Sequence, residues 1–306
     1  MRRIIHCSGV CVFMSEDGHM LGLLRILATG LLLACSACVS SQSDDVPLRQ
    51  SDWVLVDDFE SGLDLWTHID VDNNTDPYVP NAQVAVIKRS RQTGNGFLLR
   101  KPAADGIVGN RKAIGFAPLP VTIEVGETYT IYTRFNVEYF PNNHSFGLAN
   151  VAADEIGTKG YDAFEPMIRV TDKLESNGYK NSGTLQVLGG GDSRYADIVN
   201  PMTEAAALPL VPGEWYEVWY VVNNSESDIG GQTYDLYVRG GEFQKRRRVF
   251  EGAVFRMQRA HPLRFFMTIC NTGSKNSPYG NGGVRYDDIY MSVGTNLLSP
   301  VHVKHQ

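Results

Sequence analysis

The sequence predicts an all-β protein, many short strands joined by turns, on three observations. Glycine is abundant at 30 residues and tyrosine at 14 in a chain of 306. Short segments that alternate apolar and polar residues recur through the whole body, the two-residue period of a strand. No long stretch carries the 3.6-residue apolar spacing of a helix.

The elements follow in order. Residues 20–38 (MLGLLRILATGLLLACSAC) hold one Arg, an apolar run through Leu33, then small residues and a cysteine. That is the pattern of an export signal, and the apolar run is too short for a stable membrane span. Glu16 and Asp17 fit poorly ahead of an apolar core, which marks Met20 as a plausible true start. Residues 36–50 are small, polar and uneven, and read as a tether. The body opens at Trp53 with a strand that runs into an acidic turn at Asp57, Asp58 and Glu60. Residues 70–76 (DVDNNTD) read as a loop. Strands are expected over 84–88 and 96–99, joined by a turn, and over 114–116 and 121–124.

The organising stretch is residues 131–146 (IYTRFNVEYFPNNHSF). Ile131, Thr133, Phe135 and Val137 would face one way; Tyr132, Arg134, Asn136 and Glu138 would face the other. Past Pro141 the chain turns through Asn142 and Asn143 and brings His144 near the end of that polar row. Further strands are expected over 164–170, 184–188, 215–222, 234–238, 249–250, 263–269 and 286–291. Only residues 202–208 (MTEAAAL) look helical, stopped by Pro209. With no internal repeat and no flexible linker inside, residues 52–298 read as one domain, followed by a short tail over 299–306.

Bulk composition narrows the function. A formal net charge of −6 argues against a nucleic-acid partner, which needs a basic surface. The basic run at Lys245, Arg246, Arg247 and Arg248 reads as a solvated edge or turn, with an anionic contact as the alternative. Of five cysteines, Cys7 and Cys11 leave with the leader, and Cys35 and Cys38 belong to the cleavage region. Cys270 is left alone in the body, a buried small apolar residue and no part of a disulfide framework or zinc site.

Three short motifs carry resemblances. Leu32-Leu33-Ala34-Cys35 resembles the lipobox of bacterial lipoproteins, which implies a signal over residues 1–34, a lipid on Cys35 and a place in the cell envelope; Cys38 is second choice, and an ordinary secretory signal the alternative. The strand from Gly213 through Trp215 and Trp219, followed by Tyr234-Asp235-Leu236-Tyr237-Val238-Arg239-Gly240, looks like the hairpin of laminin-G-like, concanavalin A-like sandwiches. Asp57-Asp58-Phe59-Glu60-Ser61-Gly62 with Trp66, and Tyr286-Asp287-Asp288-Ile289, resemble the two ends of calcium-stabilised jelly-roll carbohydrate-binding modules. Together these imply a single all-β domain, a two-sheet antiparallel jelly-roll sandwich of concanavalin A-like type.

The resemblance implies a polysaccharide bound on a concave sheet, and the residues allow three readings. In the first, Tyr132, Asn136, Glu138, Glu165, Trp215, Trp219 and Tyr237 bind a glycan, with aromatic rings against sugar faces. In the second, a polysaccharide lyase acts on an acidic glycan by β-elimination. Arg134 and Arg169 would grip a carboxylate with paired donors, and His144 or a tyrosine would move the proton. The third is an envelope scaffold that meets a protein partner. Asp57, Asp58, Glu60 and Asp288 would converge where first and last strands pair, and hard oxygen ligands of that kind suit a structural calcium ion.

Overall fold

In the computed structural model the alternating segments pair into two antiparallel sheets that share one apolar interior. The structure describes residues 53–79, 85–89, 96–175, 178–189 and 195–300, all within the compact unit Pro47–Gln306. The leader, Cys35 and nearly all of the short tail lie outside the described residues.

In chain order the strands are β1 (Val54–Asp57), β2 (Thr67–Val71), β3 (Ala85–Arg89), β4 (Gly96–Arg100), β5 (Lys112–Ile123), β6 (Thr128–Val137) and β7 (Asn143–Ala149). A short helix α1 (Ala153–Lys159) and a 3-10 turn (Gly160–Ala163) follow. Then come β8 (Phe164–Thr171), β9 (Leu185–Val187), β10 (Ala196–Asp197) and the small pair β11 (Val199–Asn200) and β12 (Ala205–Ala206). The last are β13 (Trp215–Asn223), β14 (Thr233–Gly240), β15 (Phe243–Val254), β16 (Leu263–Asn271), the small pair β17 (Gly273–Ser274) and β18 (Ser277–Pro278), and β19 (Val284–Val293).

One sheet runs β15-β14-β13-β6-β19-β4-β3, with β1 also paired to β19, eight strands in all; the other runs β10-β9-β8-β7-β16-β5-β2, seven strands. The strands that the alternation predicts, and the two-sheet antiparallel sandwich that the resemblance implies, are the architecture observed. Its interior is filled from both sheets: Ile131, Phe135, Tyr216, Val218, Leu236 and Tyr286 from the first, Phe146, Ile168, Val170 and Phe266 from the second. Phe135 stacks on Tyr216 at 5.5 Å and lies 5.7 Å from Phe146, while Phe146 meets Tyr286 edge-on at 5.6 Å. Burying each such side chain stabilises the fold by roughly 1.5–3 kcal/mol.

The hairpin β13–β14 forms in continuous register from Glu217 opposite Arg239 to Asn223 opposite Thr233. The first strand also meets the last, with Val54 opposite Met291. The basic run falls inside β15, the edge strand of the eight-stranded sheet, where its side chains are exposed or half-buried. Charged residues on such an edge discourage pairing with another chain.

Four expectations are corrected. Residues 67–71 form strand β2, which pairs with β5, so the acidic loop begins after it. The two strands expected over 114–116 and 121–124 are one, β5; its second half, with Pro118 and Pro120, extends past the reach of β2, where a missing N–H costs no ladder bond on that side. Residues 143–149 form a central strand, not a turn. Residues 202–208 hold a turn and β12 where a helix is expected, and the helix lies at α1, whose one buried residue is Ile156.

Candidate functional site

Residues directly opposite in a ladder share a face, so the register sorts every expected site residue. On the outer face of the eight-stranded sheet, β6 presents Tyr132, Arg134 and Asn136 beside Trp219, Glu217 and Trp215 of β13. Glu217 in turn lies opposite Arg239, and Trp219 opposite Tyr237. This is the row that the alternation predicts, but its members neutralise one another. Arg134 Nη1 donates to Asp288 at 2.8 Å and lies 3.7 Å from Asp287, with its guanidinium 4.8 Å from the Trp215 ring. Asn136 accepts from Arg285 at 2.6 Å, and Glu138, just past the strand, is 3.0 Å from Lys101. Tyr132 donates to Glu217 at 3.1 Å, and burial, then the Glu217 charge, hold its phenol far above the usual range. Glu217 is also bonded to Arg239. Trp219 is buried and donates to the Leu298 carbonyl at 3.0 Å, so the chain end covers it. Tyr132, Trp219 and Tyr290 form a small apolar cluster with Tyr237 packed against it.

Arg169 lies elsewhere. On β8 it is directly opposite Ser145 of β7, and Ser145 is opposite Ile269 of β16. Ile269 packs with Ile156 of α1, which places this row on the outer face of the seven-stranded sheet. Arg134 and Arg169 therefore stand on two different sheets and cannot grip one sugar. His144, between Asn143 and Ser145, points inward, opposite Val170 and Cys270. Glu165 is sealed by Arg259 at 2.6 Å and by the Met257 backbone N–H at 3.1 Å. The residues expected to act on one glycan are divided among two outer faces and the interior.

His144 is fully enclosed and its Nε2 lies 2.8 Å from the Gly282 carbonyl, so the neutral ring donates there. Burial lowers its pKa to about 3, with the charges of Arg100 and Lys101 acting the same way and the Gly282 bond opposing. A ring held neutral inside the core cannot shuttle a proton at an outer face. Its folded pKa lies below the unfolded 6.5, so between those values only the unfolded chain binds the proton. Stability is therefore full above pH 6.5 and is lost as pH falls through that window, by about 3 kcal/mol at pH 4.5. Urea unfolding at pH 7 and 4.5 should show a loss larger in the natural protein than in His144→Asn by about this amount, the variant keeping the loss that comes from His68, itself lowered to about 4; equal losses in both would remove the assignment.

The outer face around Arg169 carries a second polar row, Asn143, Ser145, Arg169 and Gln186, each almost wholly buried. Arg169 donates to Gln186 at 3.2 Å and to Glu175 at 2.6 Å, and the Tyr195 ring covers its guanidinium at 3.9 Å. Burial works to raise the Glu175 pKa, but bonds from Arg169 and Asn181 bring it down to about 2. Asn143 donates to Tyr161 Oη at 3.3 Å, and the Ser145 hydroxyl has no protein partner. Tyr161 is pushed above the usual phenol range by burial, against the opposing charge of Arg169. Beside it opens a cavity of about 500 Å³ lined by Tyr161, Lys112, Lys159, Arg256, Asp72 and Asp162. The glycine-rich stretch after β16 reaches this face too, where the Tyr279 ring lies 4.6 Å from Lys173 Nζ. The expectations missed Tyr161, Tyr195, Asn143, Ser145 and Gln186. The only signal for the last three was their phase with Arg169 on strands too short or too polar to stand out.

The four acids expected to hold calcium are taken up by protein donors. Asp57 accepts from Trp66 Nε1 at 2.6 Å and from the Phe59 N–H at 2.8 Å, and Asp58 from the Glu60 N–H at 3.2 Å. Glu60 accepts from the Gly96 N–H at 2.9 Å, and Asp288 from Arg134. Among the described residues no group of three or more His, Cys, Asp or Glu side chains could hold a metal ion. Cys270 is a buried free thiol, as its apolar flanks suggest.

No family model matches the chain, and no curated protein sequence does. Among solved structures the chain is similar to the marine PL-14 alginate lyase from Aplysia kurodai, with 10% identity, a TM-score of 0.46, and 76% of this chain and 92% of that one covered. It is similar to the catalytic domain of a GH131 β-glucanase from Podospora anserina at 11% identity and a TM-score of 0.44, over 71% of this chain and 82% of that one. It is also similar to the Emp47p carbohydrate recognition domain at 11% identity and a TM-score of 0.43, covering 83% of this chain and 100% of that one.

Proposed function

We propose that the protein binds a polysaccharide on the outer face of the seven-stranded sheet, at the cavity beside Tyr161 and next to the row that holds Arg169. The observation that carries this reading is the combination of a polar row, Asn143, Ser145, Arg169 and Gln186, with the rings of Tyr161 and Tyr195 beside a cavity of about 500 Å³. Sugars offer hydroxyls for such a row and apolar C–H faces for such rings. A second cavity of about 510 Å³, lined by Arg259, His261 and Arg264, shares Lys159 with the first. Lys112, Arg256 and Arg259 here pair with Asp72, Asp162 and Glu165, so the preference for an acidic chain over a neutral one rests on Lys159 and Arg264. The export signal and lipid on Cys35 rest on the sequence reading and would present this face at the cell envelope. Calcium has no part in the reading, since the candidate acids are spent on protein donors.

The test is migration in native gels cast with alginate, glucuronan or a neutral glucan. Retardation by the acidic gels is the expected result. Unchanged migration in every gel overturns glycan binding and leaves the envelope scaffold.

One observation favours turnover as a second reading. The Arg169 charge acts on the Tyr161 phenol, which places a cation and a proton-bearing group together on this face. On a uronic-acid polymer, Arg169 would neutralise the carboxylate and acidify the neighbouring C–H, and a tyrosine would serve where His144 cannot. A base takes that proton, its electron pair becomes the carbon–carbon double bond, and the glycosidic oxygen leaves with a proton from the enzyme. Absorbance of the unsaturated product after incubation with alginate or glucuronan supports the reading, and its absence alongside gel retardation leaves binding alone.

A further inference from the structure

The interior of the sandwich is not wholly apolar. Arg100, the last residue of β4, points inward in phase with Leu98, and Arg111, just before β5, is likewise fully buried. Arg100 Nη1 lies 3.0 Å from His68 Nδ1, which accepts from it, and Arg111 Nε donates to Asp70 at 2.8 Å. The remaining donors, Nε and Nη2 of Arg100 and Nη1 and Nη2 of Arg111, have no partner among the described residues. Neither does the buried hydroxyl of Tyr286, whose charge state Arg100 influences. Both guanidiniums act electrostatically on Cys270 and on each other, so they occupy one region between the sheets.

The charges there do not balance. Among the described residues, two guanidiniums face one carboxylate, Asp70, and the other groups acting on Arg100 supply no second negative charge. Burial pushes the Cys270 thiol up to about 11 and the Tyr286 phenol far above its usual range, so both stay protonated. Desolvation, then Arg100, lowers His68 to about 4, so it is a neutral acceptor although the residue is exposed on its edge strand. One positive charge is thus left in a low-dielectric interior, a cost of several kcal/mol unless an anion compensates it. Unused N–H donors beside the uncompensated charge supply the ligand set for such an anion.

We propose that a small monovalent inorganic anion, of the size class of a halide, is held between the two sheets by Arg100 and Arg111. It would close the charge balance and accept the free guanidinium N–H groups, making the anion a structural component of the fold. This site is separate from the outer face assigned to the glycan, so either proposal stands if the other fails.

The test is thermal unfolding of the whole protein in sodium chloride or sodium bromide against sodium gluconate at equal ionic strength. Above the anion's dissociation constant, the midpoint should rise by about 3–5 °C for each tenfold increase in halide. Arg111→Met leaves Arg100 balanced by Asp70 and should abolish the halide dependence. Should that variant not fold, crystals of the natural protein soaked in bromide decide, through an anomalous peak within hydrogen-bond reach of both guanidiniums. A midpoint indifferent to halide, with only water between the two arginines, overturns the proposal.

Discussion

Gly147→Ala should cost more stability than any other single methyl group added to the seven-stranded sheet. A Cβ built on Gly147 meets the Pro166 carbonyl oxygen at 2.0 Å and the Met167 Cα at 3.2 Å. Both belong to the neighbouring strand β8, where Gly147 lies opposite Met167 just before a register shift. No side-chain rotation relieves a contact with backbone, so β7 and β8 must part over the irregularity. The expected loss is about 3 kcal/mol, at the upper end of overpacking costs. Urea unfolding followed by tyrosine and tryptophan fluorescence would measure it. A shift in midpoint worth less than about 1 kcal/mol would mean the two strands can spread without loss of packing.

The second large effect is on binding. Arg169→Ala should weaken glycan retardation by about 100-fold, because charge-assisted hydrogen bonds of this kind are worth roughly 1.5–3 kcal/mol each. Stability should change less. Glu175, released by the substitution, keeps Lys173 at 2.9 Å and Asn181 at 2.8 Å. Arg134→Ala is the matched control on the other sheet. It should leave binding unchanged and destabilise the protein, because it strands Asp288 and Asp287 without their buried cation. Binding lost through Arg134 and kept through Arg169 would place the glycan on the eight-stranded sheet.

The sequence reveals strand character well and sheet membership poorly. β6 and β13 are legible because alternation runs unbroken through Thr133, Phe135 and Val137, and through Tyr216, Val218 and Tyr220, all of which face the interior. β7 hides because its outward positions are Asn143, Ser145 and Gly147, a set that reads as a turn. α1 hides because it has seven residues and buries only Ile156. The same limit governs the expected site residues. A period of two tells which residues of one strand share a face, but it carries no information on which sheet the strand joins. Arg134 and Arg169 were therefore grouped though they lie on opposite outer surfaces. Arg100 left a readable trace, since a charge in phase with Leu98 breaks the apolar pattern of Gly96–Arg100. Arg111 and Asp70 left none, because their partnership spans 41 residues and two strands.

The pairing of β1 with β19 decides how the molecule responds to force. The two run antiparallel, and Val54 sits against Met291, so both leave the sheet from the same end of their ladder. Tension applied between the two chain termini would open that ladder one rung at a time, as a zipper, instead of shearing all its rungs together. A pull transmitted through the amino-terminal side alone loads only the four residues of β1. The outer face that holds Arg169 belongs to the other sheet and would keep its shape while that strand peels.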